Sequence, residues 1–214
     1  MFLMQGAIFD LDGTLLDSMD AWKEIDIRFL EKRGILATKD YSQTVAQLGF
    51  RAAAEYTADR YHLDEKPDDI IAEWNQMASL AYASEIGLKP NAREYLQSLS
   101  DRSIPLGIAT ALHHETIEAA LKNNGIYHLF DSFTSLQEVS RGKGFPDIYL
   151  LTAQKMRLEP CECVVFEDIL SGVKGAKAGG FRVCGVFDSS SEHEWDQIRE
   201  VCDMTILDFA ELLV

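Results

Sequence analysis

Five short runs along the chain are apolar at consecutive positions: residues 6–9, 104–109, 163–166, 183–187 and 204–207. Runs of this length, apolar on both faces, suit strands buried inside a parallel sheet. Ser132-Phe133-Thr134 is a weaker candidate of the same kind. Between these runs the apolar spacing becomes helical. Asn91-Ala92-Arg93-Glu94 reads as a capping box, followed by Tyr95, Leu96 and Leu99 on one face. From 113 to 124 the inward positions are Ile117, Ala120 and Leu121, with Gly125 as the stop. Pro146 suits the first turn of a third helix through Ile148, Leu150 and Leu151. Strands alternating with helices predict βαβ units, hence an α/β fold with a doubly wound parallel sheet of Rossmann-like order.

One stretch breaks the alternation. From about 18 to 84 the periodicity is helical throughout. Met19, Trp22, Ile25 and Phe29 make one stripe, and Gly34 ends it behind Lys32 and Arg33. Residues 51–61 and 68–83 continue in the same manner. The expected organisation is an α/β core of residues 1–16 and 86–214 interrupted by a helical insert, residues 17–85. The two crossings, near Leu16-Asp17 and Gly87-Leu88-Lys89-Pro90, would form a hinge. Repeats and low-complexity segments are absent from the sequence.

Composition narrows the partners. The chain has 214 residues, 47% apolar, with a net charge of −15, enough to bury a core and too acidic to favour nucleic acid or membrane surfaces. One small phosphorylated metabolite can still bind where a lysine, backbone N–H groups and a metal converge. No run approaches the length that spans a bilayer, and Met1-Phe2-Leu3-Met4-Gln5 has neither the basic region nor the cleavage site of a signal peptide. Cys161, Cys163, Cys184 and Cys202 read as buried free thiols of a reducing cytosol, since Cys161-Glu162-Cys163 lacks zinc-site spacing. A cytoplasmic protein is expected, a monomer more readily than an oligomer.

The chemistry concentrates at strand ends. The first apolar run ends in Asp10-Leu11-Asp12-Gly13. Ligands of open α/β sheets bind outside the carboxyl ends of the strands, so Asp10 and Asp12 stand where chemistry is expected. Gly13 lets the chain turn and bring N–H groups towards an anion. Thr110 follows the second run, and its hydroxyl with the N–H of Ala111 could hold phosphoryl oxygens. Taken alone it is an ordinary helix cap. Lys143 lies between Gly142 and Gly144, ahead of a helix, and alone would read as a solvated loop residue. Glu167-Asp168 follow another run. Two adjacent carboxylates need a lysine or a cation nearby, and with Asp10 they make an all-oxygen site that suits Mg²⁺.

In this order the four segments resemble the motifs of the haloacid dehalogenase-like superfamily, in the branch with a helical cap after the first motif, near β-phosphoglucomutases and related phosphatases. The matching residues are Asp10-Leu11-Asp12-Gly13-Thr14, Thr110, Lys143, and Phe166-Glu167-Asp168 followed by Gly172-Val173 and Ala176-Ala178-Gly179. The resemblance covers essentially the whole chain. It implies that Asp10 attacks phosphorus to give an aspartyl-phosphate, and that Asp12 serves as acid to the leaving oxygen and then as base for water. It further implies Mg²⁺ on Asp10, Asp168, the carbonyl of Asp12 and, directly or through water, Glu167. Gly13, Thr14, Thr110, Ala111 and Lys143 would surround the phosphoryl group, and the insert would be a cap. Two departures stand out: Asn91 replaces a common Gly, and Ile169 replaces a polar residue that would support the metal site.

A carboxylate at Asp12 fits phosphate chemistry rather than dehalogenation or phosphonate cleavage. The look-alike mutases carry a His early in the cap and Lys-Asn after the second motif, where this chain has Trp22 and His113-His114. Trp22 also fits simple packing in its stripe, and the histidines an exposed helix start. Arg51 is a candidate substrate contact from the insert, or equally a solvated helix residue. The expected activity is a Mg²⁺-dependent phosphatase acting on a small sugar or polyol phosphate. The alternatives are a β-phosphoglucomutase-like mutase and, further off, a phospho-acceptor domain or pseudo-enzyme.

Overall fold

The structure, a computed structural model, describes residues 4–45 and 48–213, so the start segment is seen only from Met4. In chain order the elements are β1 (Gly6–Phe9), α1 (Met19–Glu31), α2 (Lys39–Val45), α3 (Phe50–Tyr61), α4 (Pro67–Ser84), α5 (Ala92–Asp101), β2 (Leu106–Thr110), α6 (His114–Asn123), β3 (Ser132–Ser135), α7 (Asp147–Met156), β4 (Cys163–Glu167), α8 (Leu170–Ala178), β5 (Arg182–Val186), α9 (Trp195–Val201) and β6 (Met204–Ile206). The chain divides into two compact units, Met1–Asp17 with Gly87–Val214, and Ser18–Ile86.

The first unit is built on a six-stranded sheet of order β3-β2-β1-β4-β5-β6. Every pairing is parallel. The chain winds from β1 outward through β2 and β3, then returns to β4 on the other side of β1. That reversal opens a crevice at the carboxyl ends of β1 and β4. Side chains alternate across the sheet. Ile8 and Val165 face a cluster with Ile148, Tyr149, Val173 and Ile198, drawn from α7, α8 and α9. On the other face Phe9 stacks on Phe166 at 4.4 Å, beside Tyr95 of α5 and Phe209.

Several local expectations shift. The capping box at Asn91 does not form: Asn91 adopts φ 58° and its side chain makes no cap. Its amide donates to Asp208 Oδ1 at 2.7 Å instead, which turns it away from the helix amides. Residues 104 and 105 precede β2, because Pro105 has no N–H to give a ladder and contributes only its carbonyl, accepting from Ala7 N at 3.0 Å. Pro146 is the residue before α7 rather than inside its first turn. Cys161 is exposed, while Cys163 and Cys184 are buried, and all four thiols are free. The segments that enter and leave the insert pair with one another: Leu16 bridges Leu88, and Lys89 N donates to Leu15 O at 2.9 Å.

Among its described residues the regular elements of the second unit are all helices. Ile25, Phe29 and Leu30 of α1, Ala53 and Ala54 of α3, and Ile70, Trp74 and Ala78 of α4 are buried. The Arg33 guanidinium lies 3.7 Å from the Phe29 ring centre and bonds Glu65 and Glu73. Trp22 is half-buried and meets Phe50 edge-on at 5.5 Å between centroids.

Candidate active site

The carboxyl edge of β1 and β4 gathers the acidic residues. Phe9 is in register with Phe166, so Asp10 emerges beside Glu167, and Asp10 N donates to Phe166 O at 3.1 Å. Asp10, Glu167 and Asp168 are all buried, and each offers an oxygen within 4.8 Å of the others. Lys143, from the loop before α7, bonds Asp10 Oδ1 and lies 2.7 Å from Glu167 Oε1. Its side chain is only 9% exposed, so the lysine between two glycines belongs to the site and not to solvent.

Three carboxylates against one ammonium leave a surplus of two negative charges in a buried place. Burial first, and then this crowding of charge, sets the titration behaviour. Burial pushes Glu167 up to about 7 against the opposing pull of Lys143. Burial, then the charges of Asp10 and Glu167, hold Asp168 well above the usual carboxylate range. Burial disfavours the Lys143 ammonium, but Asp10 and Glu167 outweigh it and hold the amine above its ordinary value. A divalent cation would cancel the surplus, and an all-oxygen donor set with a buried, unpartnered Glu167 Oε2 fits one.

Glycines make the room. Gly13, at φ 74°, lies where a Cβ would collide with the Asp168 carboxylate. A Cβ on Gly172 would stand 2.5 Å from Glu167 Cδ, and one on Gly175 would overlap the carbonyl of Lys143. α8 thus lies directly against both the acid and the lysine loop.

The remaining expected residues divide. Asp12 is half-buried at the turn and bridges Leu16. Thr110 is buried at the end of β2, and its Oγ1 accepts from Leu112 N at 3.3 Å, while Ala111 is exposed. Gly13 and Thr14 both make bonds within the turn. Gly13 N donates to Leu16 O and Thr14 N to Leu11 O, closing the turn internally. The buried Thr14 hydroxyl donates to Asp168 Oδ1 at 3.1 Å and so supports the acid. Arg51 lies in the helical unit, exposed, with its guanidinium 2.7 Å from Asp68 and 3.4 Å from Glu55. His113 and His114 are exposed at the start of α6, and His114 Nε2 lies 2.8 Å from Glu138.

Sequence reasoning missed three residues. Tyr149 is fully buried and donates to Glu167 Oε1 at 2.7 Å. Gly175 admits the lysine loop. Glu194 accepts from Leu170 N at 3.2 Å, so the start of α8 has a carboxylate acceptor where Ile169 has none. The apolar pattern along this helix picks out Ile148, Leu150 and Leu151 and passes over Tyr149, whose partner lies 18 residues away.

Buried carboxylates around one lysine, at the carboxyl edge of a doubly wound sheet, define an α/β enzyme with an acidic, cation-seeking site. The chain belongs to the haloacid dehalogenase-like hydrolase family, whose model it matches over residues 7–186. It is 29% identical to a validoxylamine A 7′-phosphate phosphatase of Streptomyces hygroscopicus subsp. limoneus, over 96% of this chain and 94% of the relative. It is 32% identical to hexitol phosphatase A of Escherichia coli K12, over 85% of this chain and 82% of that one. A crystal structure from Thermotoga maritima, provisionally assigned as a β-phosphoglucomutase, superposes with a TM-score of 0.86 at 24% identity, covering 95% of this chain and 94% of the other, and shares the fold. The chain is a phosphoric monoester hydrolase of this family. Among the described residues no helix is long and apolar enough to cross a membrane.

Proposed function

We propose that this enzyme hydrolyses a small sugar or polyol phosphate with the help of Mg²⁺, through an aspartyl-phosphate on Asp10. The observation that carries this reading is the buried trio Asp10, Glu167 and Asp168 tied to one lysine. The substrate class is taken from relatives named for a validoxylamine phosphate and for hexitol phosphates.

Asp10 attacks phosphorus in line, and the ester oxygen departs with a proton from Asp12. Asp12, now a carboxylate, takes a proton from water as that water attacks the phosphorus, which frees phosphate and regenerates Asp10. Lys143 and Thr110 stabilise the charge that builds on the transferring group, together with the N–H of Ala111. Asp10, Asp168, Glu167 and the carbonyl of Asp12 would hold the Mg²⁺. When bound it supplies charge neutralisation, so that a carboxylate and a phosphate can approach. Thr14 supports Asp168 by its hydroxyl bond. The helical unit, with Arg51, is assigned the role of cap and carrier of specificity. Four free thiols fit a reducing compartment, the cytoplasm.

Hydrolysis is favoured over isomerisation because Asp12 can activate any water that enters, and Trp22 cannot act as a general base. The test supplies β-glucose 1-phosphate with a trace of the 1,6-bisphosphate, beside a panel of hexitol and sugar phosphates. Free phosphate from the panel is expected. Glucose 6-phosphate forming much faster than free phosphate would establish the mutase instead.

A further inference from the structure

We propose that Tyr149 is a positioning residue for the metal site: its phenol, with Lys143, fixes the Glu167 carboxylate so that Oε2 is the oxygen left for the cation or its bound water. The proposal rests on the reading of Asp10, Glu167 and Asp168 as a metal site.

Glu167 is fully buried at the end of β4. Both of its donors converge on one oxygen. Tyr149 Oη and Lys143 Nζ each lie 2.7 Å from Oε1, while Oε2 is buried with no partner. A buried, unpaired carboxylate oxygen is costly, so it marks a place where a further ligand belongs. On the α8 side Gly172 leaves room at this oxygen, since a Cβ there would lie 2.5 Å from Glu167 Oε2. The carboxylate is therefore held between α7, the lysine loop and α8.

The two donors are not equivalent. Lys143 is shared with Asp10, and a flexible ammonium redistributes between carboxylates as charge moves in the site. Tyr149 is anchored in the helix-covered core, edge-on to Phe181 at 6.3 Å, with its hydroxyl on Glu167 Oε1. It keeps Glu167 in place while Lys143 turns to its other partner. A core tyrosine whose hydroxyl merely found an acceptor would affect stability alone.

The experiment titrates Mn²⁺, followed by electron paramagnetic resonance and displaced by Mg²⁺, into wild type, Tyr149→Phe, Glu167→Gln and the double variant. Removal of one hydroxyl leaves the ring packed, and thermal melts check this. Tyr149→Phe is expected to weaken Mn²⁺ binding about tenfold. In the Glu167→Gln background the same change should add less than about twofold, because the interaction it removes is already gone. Placing 4-aminophenylalanine at 149, which restores a donor on the same ring, should recover affinity. Wild-type affinity in Tyr149→Phe, a full additional loss in the double variant, or no recovery with the amino analogue would each overturn the proposal. Failure of wild type to bind Mn²⁺ would instead remove the metal reading beneath it.

Discussion

The carbonyl oxygen of Lys143 occupies the space that a Cβ on Gly175 would need, and the carbonyl of Phe145 lies 3.0 Å from the same point. Backbone meets backbone there, so neither side can yield by rotating a side chain. Gly175→Ala is expected to push the lysine loop off α8, lower kcat by about tenfold or more, and cost about 1–3 kcal/mol of stability. A Cβ on Gly142 would meet nothing within 4 Å, so Gly142→Ala should leave both within about twofold and 0.5 kcal/mol. Thermal melts and initial rates of the two variants check this. Normal activity in Gly175→Ala would show that the close approach does not position Lys143.

Given the surplus of negative charge at Asp10, Glu167 and Asp168, turnover is expected to require Mg²⁺ and to be inhibited by Ca²⁺, since Ca²⁺ takes more ligands in looser geometry. Initial rates after exhaustive chelation, and after Mg²⁺ or Ca²⁺ is returned, check this. Full activity in the chelated protein would contradict it.

Asp26 in α1 carries a testable pH dependence away from the chemistry. Burial lifts its carboxyl from 3.8 to about 6. The folded protein therefore binds that proton more tightly than the unfolded chain. The contribution of the protonated acid is complete below about pH 4, declines as pH rises to about 6, and is gone above it. At about 1.4 kcal/mol per pKa unit, reduced for partial exposure, ionisation costs the fold about 1–3 kcal/mol. Asp26→Asn should stabilise the protein by that amount at pH 8 and by little at pH 4, as read from urea unfolding at both pH values. An equal effect at the two would mean the acid is not destabilised by burial.

The sheet was legible because its strands are apolar on both faces, and the five strong runs and the weak one at Ser132 all became strands. Strand ends drifted where backbone chemistry intervened, as at Pro105. The acidic trio was legible because strand-end aspartates in parallel strands must share one edge. At Gly13 and Thr14 the sequence predicts a turn but not where its amides point. Internal bonds to Leu16 and Leu11 consume them. Asn91 was misjudged for the same reason, since its competing acceptor, Asp208, is 117 residues away. Tyr149 and Gly175 were invisible as site residues: each acts through a contact with a residue on another element, and neither has a local signature.

The nucleophile assignment is tested most directly by Asp10→Asn. No other carboxylate extends β1 into the cluster, and the substitution keeps the shape of the side chain while removing its charge and nucleophilicity. Phosphate release by the purified variant, measured beside its melting temperature, is expected to fall by about four orders of magnitude or more while the fold is retained. Near-wild-type release from folded Asp10→Asn protein would contradict the assignment of Asp10 as the group that takes the phosphoryl.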